Sequence, residues 1–260
     1  MGRRVTGKRK IREKRGTGTG ADYNPWIHER EVSSLGTKSL PIDWKTGRQI
    51  HCLSRNETYW FYILRWDDAV IDINEQYPLD RDKTEQIAGM LGVRHPVLNN
   101  DPDERMTSDF YVTLRQKDGS NGHIVYSVKE SYNEIFGDVS DPKICRNVEK
   151  QRIEMSYWKL QGVPFRIIFG DKDINDTYAV NISIVVNHYD IKDVHSMQEF
   201  MCWLIAHKYL NIDMKSQPID IHKLTRYYLG TREQIQHWTA QIREAKCFQN
   251  SQDVLLDSDG

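Results

Sequence analysis

Apolar residues recur along the chain with two different periods, and the changes between them mark its elements. Behind a capping box at Ser54-Arg55-Asn56-Glu57, the residues Trp60, Phe61, Ile63 and Leu64 form one stripe at the helical repeat, which predicts a helix to about Trp66. Val70-Ile71-Asp72-Ile73 reads as a short strand leading to Gln76-Tyr77-Pro78-Leu79, and residues 84–91 read as a short helix. Strand-like runs over 109–114 and 124–129 are separated by Asp118-Gly119 and Asn121-Gly122, the turn chemistry of a β-hairpin. A long helix follows from about Asp141, with Ile144, Val148, Gln151, Met155 and Trp158 on one stripe and Gly162 as its stop. Residues 163–169 are then a buried strand, and 178–186 suit either a strand or an apolar helix. Two more capping boxes, Ser196-Met197-Gln198-Glu199 and Thr231-Arg232-Glu233-Gln234, flank a segment rich in Ile, Leu and Tyr over 219–229. They predict three short helices, a cluster that packs, binds proteins or presents one helix to DNA as a plain or winged helix-turn-helix.

Composition narrows the classes. The 260 residues are 28% charged, and no run approaches the roughly 18 uncharged apolar residues of a membrane span. The N-terminus lacks the apolar core of a signal peptide, so a cytoplasmic location is expected. Cys52, Cys145, Cys202 and Cys247 are far apart, without the spacing of a structural zinc site or the density of a disulfide scaffold. The net charge of -1 conceals an asymmetry, because residues 1–20 hold eight Lys or Arg and only Glu13 as an acid. With its glycines and few apolar residues this arm is expected to be mobile when free and ordered by a polyanion. Its Lys8, Arg9, Lys10, Arg12, Lys14 and Arg15, together with Arg48, His51 and Arg55 near the first helix, are candidate phosphate contacts; the bland reading is solvated surface charge. Trp26, Trp44 and Trp60 read as core aromatics and His95, beside Pro96, as a turn residue. No Walker or Rossmann glycine motif is present in the sequence, so any ATP use belongs to a partner.

The hairpin carries the chemistry. If its strands pair about Gly119, Asp109 faces Lys129, and Ser127 shares the face of Lys129 through the two-residue period. A carboxylate at the start of one strand beside a lysine at the end of its partner suits metal-assisted phosphodiester cleavage. The acid fixes Mg²⁺, and the lysine steadies the attacking water or the phosphorane charge. Glu57, on the nearby helix, adds the carboxylate needed for a second metal; its alternative role is the third helical residue of a capping box. The Asp–Lys pair has its own bland reading as a surface ion pair.

These residues also carry a resemblance. Gly16-Thr17-Gly18-Thr19-Gly20, Asp22-Tyr23, Pro25-Trp26, Glu57, Glu75-Gln76-Tyr77-Pro78-Leu79, His95-Pro96, Thr107-Ser108-Asp109-Phe110, Val128-Lys129, Glu154, Tyr157-Trp158 and Asp171-Lys172-Asp173-Ile174 together resemble the TnsA family. These are the endonuclease subunits of heteromeric Tns-type bacterial transposases, including those of CRISPR-associated transposons. The resemblance spans about residues 11–175. It implies an α/β fold, with a restriction-endonuclease-like mixed sheet flanked by helices and a small, mainly helical, winged-helix-like C-terminal domain. It implies nicking at the transposon 5′ ends while the partner transposase TnsB processes the 3′ ends. The C-terminal domain would bind the ATPase TnsC, and the catalytic domain would meet TnsB and end DNA, with no membrane involved. Carried over, Glu57 and Asp109 are metal ligands for Mg²⁺, two ions with Mn²⁺ able to substitute. Lys129 is the catalytic lysine, the Val128 backbone carbonyl is a further metal oxygen, and Glu75, Glu149 and Glu154 are second-tier acids. Ser127 departs from the pattern, standing where most nucleases of this fold carry an acid and the best-known TnsA a glutamine. As a metal ligand it would act through a water or leave that duty to the Val128 carbonyl.

The organisation expected is a basic flexible arm over 1–20, a catalytic domain over 21–170, a helical partner-binding domain over 171–250 and an acidic tail over 251–260. Two other readings stay open at this stage. One is a non-catalytic DNA-binding or bridging subunit that keeps the fold; the other is a stand-alone restriction-type endonuclease.

Overall fold

The computed structural model describes residues 5–32, 37–96, 101–190, 195–229 and 240. It divides into two compact units, Met1–Ser183 and Ile184–Gly260, a division later in the chain than the break expected at 170.

The first unit opens with a correction. The arm is folded from residue 5 onward, because its cations have partners far away in sequence that local composition does not reveal. Helix α1 (Gly7–Arg12) is capped by Thr6, and the Gly7 N–H donates to the Asp101 carboxylate at 2.8 Å. Lys10 is buried on Glu104 at 2.9 Å, and Arg15 is buried on Glu31 at 2.7 Å. A β-carbon at position 7 would meet the Asp103 backbone at 2.3 Å, so only glycine lets α1 lie so close to that loop.

Helix α2 (Arg55–Trp66) starts at the expected capping box: Ser54 accepts from the Glu57 N–H. Phe61 and Leu64 are its buried apolar stripe, and Arg65 is buried on Asp43 at 2.6 Å. Strand β1 (Val70–Pro78) runs longer than expected and leads into α3 (Arg81–Leu91), which is capped by Asp80 and ended by Gly92 at φ 64°. The hairpin comprises β2 (Thr107–Arg115) and β3 (Asn121–Lys129). The short α4 (Asn133–Phe136) and the long α5 (Pro142–Leu160, N-cap Asp141) then return the chain to β4 (Phe165–Phe169). The order is β1-β2-β3-β4, antiparallel except for the parallel β3–β4 pair. Strand β4, at the sheet edge, buries only its last two residues, Ile168 and Phe169, less than the buried strand expected over 163–169. The ambiguous segment 178–186 is helical, within α6 (Asp176–Val186).

Successive strand residues face opposite sides of the sheet, and β3 shows both. Tyr126 meets Trp60 of α2 edge-on at 5.4 Å, whereas Val125 joins the cluster of Ile87, Ile153, Tyr157 and Trp158 from α3 and α5. The mixed sheet is thus covered on one face by α2 and on the other by α3 and α5. Trp26 and Trp44 are core residues as expected, and Trp60 is half-buried.

The hairpin register differs from expectation by two residues. Phe110 pairs with Tyr126 and Arg115 with Asn121, and the Gln116 N–H donates to the Ser120 carbonyl, which centres the turn on Asp118 rather than Gly119. Continued by one residue, this register sets Asp109 opposite Ser127, with Lys129 two residues beyond. A shift of two preserves the face on which each side chain lies, so all three stay on one side of the hairpin.

The second unit contains α7 (Met197–Ala206), capped by Ser196, and α8 (Ile221–Leu229). No strand occurs among its described residues, so no wing is seen there. The capping box at 231–234 and the acidic tail lie outside the described residues. Among the described residues, no helix is long and apolar enough to cross a membrane.

Candidate active site

Glu57 owes its position to helix capping. As the third residue of α2 it folds back onto the helix start, and its Oε2 accepts from the Leu53 N–H at 2.9 Å while Ser54 Oγ donates to Oε1 at 2.9 Å. From β1, Gln76 Nε2 donates to Oε2 at 3.1 Å. Gln76 holds φ at 49°, a left-handed backbone uncommon for a residue with a β-carbon. Its side-chain oxygen accepts from Thr107 at 3.2 Å, so this buried residue ties β2 to the Glu57 carboxylate. Burial foremost, and then the charge of Asp109, pushes the Glu57 carboxyl up to about 8.

Asp109 stands where β2 and β3 stop pairing. The register between these strands ends at Phe110–Tyr126, and the Val128 N–H donates instead to Asp109 Oδ2 at 2.6 Å. Ser127 Oγ lies 3.4 Å from the same oxygen, and Lys129 Nζ donates to Ser127 Oγ at 2.8 Å. Asp109, Ser127 and Lys129 line a cleft of ≈ 300 Å³ with Thr107, Lys150, Gln151 and Glu154. Glu154 accepts from Ser108 Oγ at 2.7 Å and from Gln151 Nε2 at 3.1 Å. Burial raises its carboxyl to about 7; Lys129 draws it down and Asp109 adds to the rise. Burial also lowers the Lys150 ammonium, helped by Arg146 and Lys129.

Several candidates lie elsewhere. Glu75 is fully buried in a bidentate pair with Arg48, both contacts at 2.7 Å, and also accepts from the His51 N–H. Arg48 spends its remaining donors on the carbonyls of Gly20, Gln49 and Ile73. Neither is free for phosphate or metal, because each neutralises the other inside the fold. His51 likewise turns its Nδ1 to Glu29 at 2.8 Å and stacks on His28, and Lys10 and Arg15 are consumed in their own pairs. Glu149 pairs with Arg146 along α5, outside the cleft lining. Arg55 stays exposed, 3.6 Å from Asp176 and over the Tyr59 ring; Lys8, Arg9, Arg12 and Lys14 are also exposed. His95 bonds with Thr84 and the Pro96 carbonyl in an irregular segment after α3, outside any turn.

Sequence reasoning missed Gln76, Lys150 and Ser108 as parts of this site, and saw Gln151 only as one position on a stripe. Their signal is faint: each is an ordinary polar residue in a regular element, and only tertiary packing turns it to the cleft.

The donor set suits a hard divalent cation. No cluster of three or more His, Cys, Asp or Glu side chains able to hold a metal occurs among the described residues. Two carboxylates close enough for one to raise the other, completed by backbone and water oxygens, are what a well-hydrated Mg²⁺ takes.

A mixed four-stranded sheet flanked by helices, with a helix glutamate, a strand aspartate and a lysine of the partner strand near the point where β2 and β3 stop pairing, is an α/β architecture of the restriction-endonuclease-like class. Comparisons agree. Residues 67–170 match the family model described as TnsA-like endonuclease N terminal. The chain is 36% identical over 201 residues to the transposon Tn7 transposition protein TnsA of Escherichia coli, a match covering 76% of this chain and 68% of that protein. The chain belongs to the TnsA family of endonucleases.

Proposed function

We propose that this chain is the Mg²⁺-dependent endonuclease subunit of a heteromeric transposase, hydrolysing one phosphodiester at each transposon 5′ end while a TnsB-type partner processes the 3′ ends. The observation that carries this reading is the linked set Asp109–Ser127–Lys129 in a cleft beside buried Glu57. Glu57 and Asp109 would hold Mg²⁺, with the Val128 carbonyl as a further oxygen and Mn²⁺ as a substitute. Bound there, the ion supplies Lewis acidity toward phosphate oxygen and water. The remaining work falls to the chain itself. Leu53, Ser54 and Gln76 direct three donors at Glu57, which holds its oxygens in place. The Val128 N–H fixes one oxygen of Asp109, and Lys129 presents an ammonium for the charge that develops on phosphate as the bond breaks.

Partners follow the same reading. End DNA enters the cleft, TnsB meets the catalytic unit, and a TnsC-type ATPase meets the second unit, whose α8 exposes Tyr227 and Tyr228. The test is to map strand breaks with the chain, its TnsB and TnsC partners, end-bearing DNA, ATP and Mg²⁺. Asp109→Ala and Lys129→Ala are expected to remove the 5′ breaks and leave assembly and the 3′ breaks intact. Unchanged 5′ breaks with folded Asp109→Ala protein would make this chain a bridging subunit. Sequence-specific cutting by the chain alone would make it a stand-alone nuclease.

A further inference from the structure

Gln151 and Glu154 stand one turn apart on α5, both buried, and the chemistry above uses neither. They complete a continuous hydrogen-bonded chain. Trp158 Nε1 donates to Ser108 Oγ at 2.8 Å, Ser108 Oγ donates to Glu154 Oε1 at 2.7 Å, and Gln151 Nε2 donates to Glu154 Oε2 at 3.1 Å. Ser127 Oγ then lies 3.4 Å from Gln151 Oε1, as it does from Asp109 Oδ2, so its one proton is shared between these two acceptors while it receives Lys129 Nζ at 2.8 Å. The polarity of this chain is set at Glu154. Glu154 accepts from Ser108 on Oε1 and from Gln151 Nε2 on Oε2, which leaves the Gln151 oxygen to face Ser127. The serine can then donate onward while its lone pairs face the lysine.

We propose that Gln151 and Glu154 are positioning residues that act through Ser127 to fix where the Lys129 ammonium stands. The inference rests on the reading of Lys129 as the catalytic lysine. It also accounts for serine at 127. A carboxylate there would confront the Gln151 oxygen and the Asp109 carboxylate, whereas a hydroxyl receives the ammonium and turns its proton to those two acceptors. Because every link is a buried polar group, breaking one leaves its neighbours unsatisfied as well as displacing the lysine.

A donor–acceptor swap tests this. Gln151→Glu sets two carboxylates together. In the double variant Gln151→Glu/Glu154→Gln, the carboxylate at 151 accepts from Ser127 and from the amide nitrogen at 154, whose oxygen accepts from Ser108. All these side chains are nearly equal in volume, so a role in packing alone would leave the single and double variants alike. Two measurements are made on variants that keep the wild-type circular dichroism: the single-turnover rate of 5′ cutting, and the rate at which acetic anhydride modifies Lys129 in metal-free protein, with Lys83 as reference. Gln151→Glu and Gln151→Leu are expected to slow cutting by about tenfold or more at unchanged KM for DNA and to change the acetylation of Lys129 alone. The swap is expected to restore both rates to within about threefold of wild type. A swap no better than the product of its two single variants, or Lys129 acetylation unaltered in Gln151→Leu, would overturn the relay. Cutting by Lys129→Ala at the wild-type rate would also overturn the proposal by removing its catalytic lysine. The acetylation rates tell that failure apart from a failure of the relay.

Discussion

The Arg48–Glu75 pair shows how a single residue can mislead when only its neighbours in sequence are known. Arg48 stands near the first predicted helix, which suggested phosphate contact, and Glu75 lies in a motif of the family resemblance that made it a second-tier acid, yet the two meet through two 2.7 Å contacts deep in the fold. Removing one member of a buried pair strands the other, at a cost of about 3–5 kcal/mol. Arg48→Ala is therefore expected to lower the urea midpoint strongly while DNA affinity, measured where the variant is still folded, stays at the wild-type value. Glu154 makes a second residue-scale prediction, through pH. Its carboxyl is raised from the usual range to about 7, so the folded state binds its proton more tightly than the unfolded chain does. The stability this contributes is complete below about pH 4.5, falls as pH rises to 7, and is constant above that. Glu154→Gln carries no such titration, so its metal-free stability relative to wild type should climb between pH 4.5 and 7. Urea midpoints at several pH values across that window check the slope, and a constant difference would refute the assignment.

At the scale of elements, what was legible in the sequence was local chemistry. Ser54, Asp141 and Ser196 announce α2, α5 and α7 because an N-cap side chain bonds within its own first turn. The hairpin was legible from its turn residues, but its register was not, since the turn centre is decided by whether Gln116 meets Ser120. The face of Asp109, Ser127 and Lys129 survived only because the error was even. The folded arm was illegible, being held by ion pairs to Glu31 and Glu104 and by backbone geometry. Gly16 holds φ at 74°, and a β-carbon there would sit 2.1 Å from Pro78 Cγ at the end of β1. Gly20 also has positive φ, 53°, but nothing lies within 4 Å of its would-be β-carbon. Gly20→Ala should thus cost about 1 kcal/mol of backbone strain, and Gly16→Ala distinctly more, because the arm must lift from β1. Paired thermal melts decide this; equal losses would mean that the contact with Pro78 carries no weight.

At the scale of the whole molecule, folding of the arm changes how its charge can be used. Of the described arm cations, Lys10 and Arg15 are neutralised inside the first unit, and Arg9 is paired with Glu13 at 2.6 Å. Lys8, Arg12 and Lys14 remain exposed, fixed on an ordered segment rather than scattered over a mobile tail. Cations that stand at set positions on a folded surface can each release one counterion's worth of DNA atmosphere without first ordering the chain. Deleting a cation that sits on a phosphate should reduce the slope of log affinity against log salt by about 0.9 for duplex DNA. The triple variant Lys8→Ala/Arg12→Ala/Lys14→Ala is therefore expected to bind end DNA and unrelated DNA more weakly by the same factor, with a salt slope shallower by two to three such steps (about 2–3 in all) and an unchanged melting temperature. Lys10→Ala should do the reverse, leaving the slope alone and lowering the melting temperature. Titrations of both variants at several salt concentrations separate the two groups. An unchanged slope in the triple variant would move the DNA track away from the arm and toward the cleft cations, Lys129 and Lys150.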